Sequence, residues 1–455
     1  MSHVTRERNG QAVVVGGSLA GLLAARVLSD VYEQVVVLDR DVLPERPVPR
    51  RGVPQGRQAH GLLARGAMTI ESLIGGFESD VVAAGASIGD AANDIRWYLD
   101  GRPILAQESG LPAVMAGRAL VEHVVRQRVA AIANVRIVDA TEVTGLRVSG
   151  DGSLVTGVRL AGADRPVDAD LVVDAGGRGS RSPRWLADLG LPEVPRETVE
   201  LGLSSVSRHF RSRGRHLDGR LGGNSPAHPG QPHSGLVLAE ENDTWVVSMN
   251  GWFSETPPTD LAGMLAYAGT LDNPDLAEII RDAEPIGEPA FMRFPHAVRR
   301  RYADLAGRPG NYLVAGDALC SLSYVYGQGM TVAALQAQAL AEVLRAGTDK
   351  LGDRFFAAAD AVLDGPWAAA TSNDLRFPQA VGVRRPVDPA QAAYLGAVRA
   401  ATATDPDVAR AFLRVFHLVD PASALAAPEI AARIRRPGVN VSSALRRRRL
   451  DGIKS

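Results

Sequence analysis

Residues 11–39 read QAVVVGGSLAGLLAARVLSDVYEQVVVLD, and the residue types fall in the order strand, tight turn, helix, strand. Short apolar runs over 12–15 and 35–38 suit strands buried on both faces. Between them 22–31 is apolar at helical spacing, and Gly16, Gly17, Ser18, Leu19, Ala20 and Gly21 make the turn from strand to helix. Such a unit builds a dinucleotide site: Gly16 permits the sharp turn, the small Ser18 lets a pyrophosphate approach the backbone, and Gly21 lets the helix pack on the strand. The helix start offers free amides to phosphate. Asp39, with Arg40 beside it, ends the second strand at about the ~20-residue offset where an acid meets a ribose hydroxyl. Ser18 replaces the usual middle glycine and brings a hydroxyl to the phosphates. A plain turn in any doubly wound sheet shares the glycines alone; their position, the flanking strands and Asp39 together select the dinucleotide reading.

Around this unit the composition is ordinary globular material, 45% hydrophobic and 22% charged, and 455 residues are too many for one simple core. A formal charge of -1 gives no electrostatic reason to bind nucleic acid or an anionic membrane, so a small molecule is the expected partner. Cys320 is the only cysteine, which suits a reducing compartment. The dinucleotide turn lies too near Met1 to follow a cleaved leader, and no apolar run reaches bilayer length. A cytoplasmic protein without a membrane span is expected. Lysine occurs only at Lys350 and Lys454.

Residues 43–66 (LPERPVPRRGVPQGRQAHGLLARG) are too rich in Pro, Gly and Arg for helix or strand. Arg51, Gln55, Arg57 and His60 within them either line an anionic cofactor or belong to a solvated loop. A helical pattern follows over 67–77. Residues 94–104 (DIRWYLDGRPI) predict a hairpin turning at Asp100 and Gly101, with Trp97 and Tyr98 facing a ligand cavity or a core. Gly117 opens a helix to about residue 133, where Arg118 in the first turn opposes the helix dipole unless an anion, such as a phosphate, sits nearby. Strands are expected over 135–139, 141–148, 155–160 and 168–175, the last running into the glycine cluster Gly176-Gly177-Arg178-Gly179-Ser180.

From about residue 192 the pattern changes to alternating strands over 199–211, 234–240, 244–252 and 288–299, which predicts an antiparallel sheet. His216, His228 and His233, in the Gly- and Pro-rich segment 211–235, match no ligand spacing, so a solvated or lid-like loop and no metal are expected. Residues 311–315 predict a strand ending at Gly316-Asp317. Gly327-Gln328-Gly329-Met330 then opens a long amphipathic helix to Ala346, with Gly347 as its cap and bare amides at its start. Residues 353–434 are Ala-rich and helical, and Arg446 to Arg449 form a basic tail.

The opening turn with Asp39, the strand into Gly176 to Ser180, and Gly316-Asp317 followed by Gly327-Gln328-Gly329 resemble, in order and spacing, FAD-dependent monooxygenases of the para-hydroxybenzoate hydroxylase fold. Within that superfamily RRGVPQGRQAHGLL, VVDAGGRGS and GDALCSLSYVYGQGM are similar to the actinobacterial branch of polyether epoxidases of the lasalocid and monensin type. The resemblance implies an α/β protein with a discontinuous Rossmann-like FAD-binding domain over 1–80, 105–190 and 300–350. Interleaved with it comes an antiparallel-sheet substrate domain over 81–104 and 191–299, and a helical C-terminal region spans 351–455. It implies Asp39 at the adenosine ribose, the turn from Gly16 to Gly21 at the pyrophosphate with Arg40, Arg51 and Arg118 nearby, and Asp317 toward the ribitol. Gly327, Gly329 and Met330 would face the flavin ring, where a helix start stabilises the anionic reduced form. Trp97, Tyr98, Tyr324 and Tyr326 are the pocket candidates.

The implied reaction joins reduced FAD and O2 in a flavin C4a-hydroperoxide, which passes one oxygen to a lipophilic alkene or aromatic ring in specialised metabolism such as antibiotic biosynthesis. No catalytic side chain is singled out. Hydroxylases reduced directly by NADPH usually carry Asp-Gly before the serine of the middle motif, and this chain has Gly176-Gly177. Electrons are therefore expected from NAD(P)H either directly or through a separate flavin reductase. Ser323-Tyr324, where relatives often have Asn-Pro, reshapes the pocket. Three rivals remain: a halogenase, which needs a lysine that neither Lys350 nor Lys454 is well placed to supply, a reductase of prenyl-type double bonds, and a non-catalytic flavin-binding protein.

Overall fold

Both strands of the 11–39 unit lie inside a five-stranded parallel sheet. The computed structural model describes residues 9–212, 215–386 and 388–434. Its first sheet runs Tyr312–Val314, Leu171–Asp174, Asn9–Val15, Tyr32–Leu38, Val135–Val138. Val13, Val14, Val35, Val36, Val172 and Leu313 are fully buried, as strands covered on both faces require. The helices Leu19–Leu28, Arg118–Ala130 and Gly329–Arg345 pack together beside them. Because every pairing is parallel, all strands end at one edge. The register sets Val15 beside Leu38 and Asp174, and Asp174 beside Val314. Gly16, Asp39, Gly176 and Gly316 therefore emerge along a single line, the usual place for a ligand in such a sheet.

The second sheet has seven strands in the order Cys320–Ser321, Glu284–Arg300, Arg196–Arg211, Thr244–Gly251, Ser234–Glu240, Gly222–Ser225, Ile95–Arg96. It is antiparallel except for the last pair, which is parallel. Alternation along the strands buries Phe210, Val237, Val247 and Met249 against Met264, Leu276 and Ile279 of the helices Leu261–Ala268 and Asp275–Asp282. The segment read as a solvated loop contains the strand Gly222–Ser225. Its sequence GGNS has little strand preference of its own, and pairing with Ser234–Glu240 recruits it. Cys320–Ser321 joins this sheet although its numbers fall within 300–350.

The hairpin turns as expected, pairing Tyr98 with Pro103 across Asp100 (φ 49°) and Gly101 (φ 77°). The helix Leu351–Asp374 places Phe355, Phe356, Leu363 and Trp367 in the main core. The shorter helices Pro389–Ala401 and Pro406–Phe416 begin with proline behind the capping residues Asp388 and Asp405, whose carboxylates accept from the first free amides. The basic tail lies outside the described residues. Among the described residues no helix is long and apolar enough to cross a membrane.

Candidate functional site

Residues from both sheets and from the C-terminal helices line one cavity of about 1890 Å³. Small-molecule pockets run to about 300–1,000 Å³, so this space exceeds one ligand.

At one end lies the glycine turn. Gly16 adopts φ 104°, and a Cβ there would come 2.6 Å from the Ala175 carbonyl oxygen; on Gly21 it would come 1.8 Å from the carbonyl oxygen of Gly16. Gly21 is thus demanded by helix packing, and neither it nor Gly17 lines the cavity, whereas Gly16, Ser18, Leu19 and Ala20 do. Ser18 makes no capping bond to its helix, which leaves the first-turn amides for a ligand. Asp39 is buried and accepts from Gly17 N (2.7 Å), Asp41 N (2.9 Å) and Arg50 Nη1 (3.2 Å). A carboxylate has about four acceptor positions, so one remains for a ligand hydroxyl.

Of two adjacent arginines, the cavity is reached by Arg50 and not by the expected Arg51. Arg51 is exposed and away from the cavity, as is Arg57, while Gln55, His60 and Arg40 line it. Arg50 turns inward instead, with Nε on Glu122 (2.8 Å) and Nη1 on Asp41 (2.8 Å) and Asp39. Glu122 also accepts from Ser18 Oγ (2.5 Å), and Arg118 Nη2 donates to the same hydroxyl (2.9 Å). Burial opposes a charge on Glu122, but Arg118 and Arg50 outweigh it and hold the carboxyl below its usual range. The anion that offsets Arg118 at its helix start is therefore Glu122, one turn on at 3.7 Å, and no phosphate is required for it. Arg118 Nε has no partner among the described residues. Sequence reasoning missed Arg50 and Glu122, which carry no motif.

In the middle, Gly316 (φ 64°) lies against Ala20, where a Cβ would come 2.6 Å from the alanine methyl, so the two motifs touch. Asp317 faces the cavity, and burial raises its pKa against the pull of Arg118, Arg178 and Arg300. Gly327 (φ 65°) turns the chain into the helix Gly329–Arg345, whose start also lacks a side-chain cap. Gly327, Gly329 and Met330 all line the cavity. Arg178, from the glycine cluster, stacks over Phe294 at 4.4 Å and donates to Ser321 Oγ (3.1 Å).

The far end is walled by Trp97, Tyr98, Met115, Trp252, Phe294 and Tyr324, together with Phe412 and Phe416 of a C-terminal helix. The Trp97 indole is fixed by the Ala91 carbonyl (2.5 Å) and meets Phe416 edge-on at 5.1 Å. Beside it His417 accepts from Ala64 N (3.1 Å), and burial lowers its pKa to about 4, so it stays neutral. Tyr326 donates to Asp374 (2.5 Å) and accepts from Asn373 (2.8 Å). Asp100 receives Arg376 (3.1 Å) and Arg399 (2.6 Å), tying the hairpin to the C-terminal helices over the cavity. Cys320 is buried. His228 pairs with Asp272 and His233 with Glu255, while His216 lies 3.9 Å from Glu278, so each meets a different carboxylate.

No protein-family model matches the chain. Protein Rv3254 of Mycobacterium tuberculosis (strain ATCC 25618 / H37Rv) is 36% identical over 430 residues, 90% of each chain. PqsL, a probable FAD-dependent monooxygenase from Pseudomonas aeruginosa, superposes with a TM-score of 0.61 at 18% identity, over 81% of this chain and 99% of its own. The flavin-dependent brominase Bmp2 superposes with a TM-score of 0.65 at 16% identity, over 93% and 96%. The fold is the one these flavin enzymes share, and a fold held by both a monooxygenase and a brominase does not choose between their reactions.

Proposed function

The chain belongs to the family of Protein Rv3254 from Mycobacterium tuberculosis, and on that premise we propose that it is an FAD-dependent monooxygenase that inserts one oxygen atom into a lipophilic alkene or aromatic substrate. The observation that carries this reading is one continuous cavity with two chemically different ends. From the glycine turn to the middle it gathers two uncapped helix starts, Arg118 with an unpartnered Nε, and the acids Asp39 and Asp317; the far end is walled by aromatic and aliphatic side chains. Those residues fit a dinucleotide beside an apolar ligand.

Bound FAD would supply the two-electron chemistry and the activation of O2. The protein's own tasks are to bind, orient and keep out water. Amides after Ser18, with Arg118, would hold the pyrophosphate, Asp39 the adenosine ribose and Asp317 the ribitol. The helix start at Gly327 to Met330 would stabilise negative charge on the ring. The Asp100 clasp and the Phe412 and Phe416 wall would exclude water from the far end. Electrons would come from NAD(P)H, directly or through a separate flavin reductase, and rapid mixing with NADPH alone tells these apart.

Lys350 argues against a halogenase: it is exposed and outside the cavity, and it is the only lysine among the described residues. The polyether-epoxidase likeness favours epoxidation of an alkene in specialised metabolism. The test is turnover of chemically reduced, FAD-loaded protein with a panel of lipophilic alkenes under heavy-isotope dioxygen, read by mass spectrometry. One labelled oxygen per product is expected. Saturated, unlabelled product would replace the monooxygenase with a reductase, and FAD uptake without turnover of any alkene would leave a binding protein.

A further inference from the structure

Alternation along a strand sends neighbouring side chains to opposite faces, and the central strands of the second sheet use this in an unusual way. On the face away from the cavity Val247 and Met249 are apolar core. On the other face the same strands carry Ser205, Ser207, Ser234, Ser248 and Asn250, each less than a tenth exposed. Cross-strand register makes these neighbours, with Ser207 opposite Ser248, Ser205 opposite Asn250, and Asn250 opposite Ser234.

Part of this polar stripe is closed on itself. Ser207 Oγ bonds to Ser248 Oγ (2.6 Å) and donates to Gln58 Oε1 (2.6 Å), and Ser205 Oγ lies 3.1 Å from Ser248 Oγ. The remaining pair is different. Ser234 and Asn250, 4% and 6% exposed, both line the cavity, and neither Ser234 Oγ nor Asn250 Oδ1 has a hydrogen-bond partner among the described residues. A buried amide and hydroxyl left unpaired oppose folding, and valine or leucine at these positions would not. The two residues lie side by side along the cavity, and a group that arrives with the ligand would satisfy both.

We propose that Ser234 and Asn250 form a subsite that recognises a hydroxyl group on an otherwise apolar substrate; this rests on reading the far end of the cavity as a substrate site. A hydroxyl both donates and accepts, so it can donate to the Asn250 oxygen while accepting from Ser234. A carboxylate would face the amide oxygen with no proton to give. The surrounding Leu236, Trp252, Met292 and Phe294 ask for hydrocarbon on the rest of the molecule. The inferred class is a lipophilic alcohol whose oxygen is read by this pair.

The experiment uses the full chain with its flavin, the variants Asn250→Leu and Ser234→Ala, and two probes, farnesol and farnesyl methyl ether, followed by calorimetric titration. Wild type is expected to bind farnesol about tenfold more tightly than the ether, which cannot donate. Asn250→Leu is expected to erase that preference while keeping its affinity for the ether. Without ligand, the thermal midpoints of both variants should equal or exceed that of wild type. Equal binding of the two probes, binding of neither, or an unchanged preference in Asn250→Leu overturns the proposal. So does a lowered midpoint in both variants, since the groups would then be holding the fold. Flavin content is measured separately. Protein that takes up no FAD yet discriminates the probes refutes the flavin reading alone, and FAD-loaded protein that does not discriminate refutes the subsite alone.

Discussion

Asp374 should make the stability of this protein fall as pH rises through the weakly acidic range, and Asp374→Asn should abolish that contribution. The side chain is fully buried at the end of the helix Leu351–Asp374; Oδ1 accepts from Tyr326, and Oδ2 has no partner among the described residues. Burial pushes its pKa from 3.8 up to about 7. The folded protein then holds a proton that the unfolded chain has already released, so the contribution is fully present below about pH 4 and is lost as pH rises to about 7. A shift of roughly three units at about 1.36 kcal/mol each amounts to about 4 kcal/mol. Asparagine keeps an oxygen for the Tyr326 hydroxyl and has no proton to lose. The assay is urea denaturation of wild type and variant at a series of pH values, with the difference in stability plotted against pH so that the other titrating groups cancel. The variant should gain about 4 kcal/mol on wild type between about pH 4 and pH 8. Parallel curves, differing by less than about 1 kcal/mol over that range, would refute the assignment of a protonated Asp374.

Gly21→Ala should lose bound FAD and destabilise the protein by about 1–3 kcal/mol, because the methyl would meet the Gly16 carbonyl oxygen; flavin absorbance of the purified protein and the thermal midpoint report both. Arg50→Ala should cost about 1–3 kcal/mol by taking one cation from the buried Asp39 and Glu122 and the half-buried Asp41, which keep Gly17, Arg118 and Gly52, whereas Arg51→Ala next door should stay within about 0.5 kcal/mol. Denaturation of the two variants side by side checks the contrast, and similar losses would contradict it. Lys350→Met should leave any flavin-dependent turnover unchanged, since the residue is exposed and outside the cavity.

What the amino-acid order determined by itself was local. The strand, turn and helix of 11–39 are specified by residues that touch their near neighbours, and Gly21 is needed by Gly16, five positions away. Asp39 and Gly17 meet across a single unit. The period-two pattern of the second sheet likewise announced four of its long strands. What only the tertiary structure decided depends on partners far away in the chain. Arg50 and Arg51 are equivalent in an irregular segment, and the choice between them is made by Glu122, 72 residues on, whose helix gives it no distinguishing mark. The strand Gly222–Ser225 exists because a neighbour offers an edge to pair with. An amphipathic Ala-rich pattern shows that a C-terminal helix buries one face, but not that Phe412 and Phe416 on it line a cavity, with Phe416 against Trp97. Periodicity reveals which side chains share a face; only the folded chain reveals what that face meets.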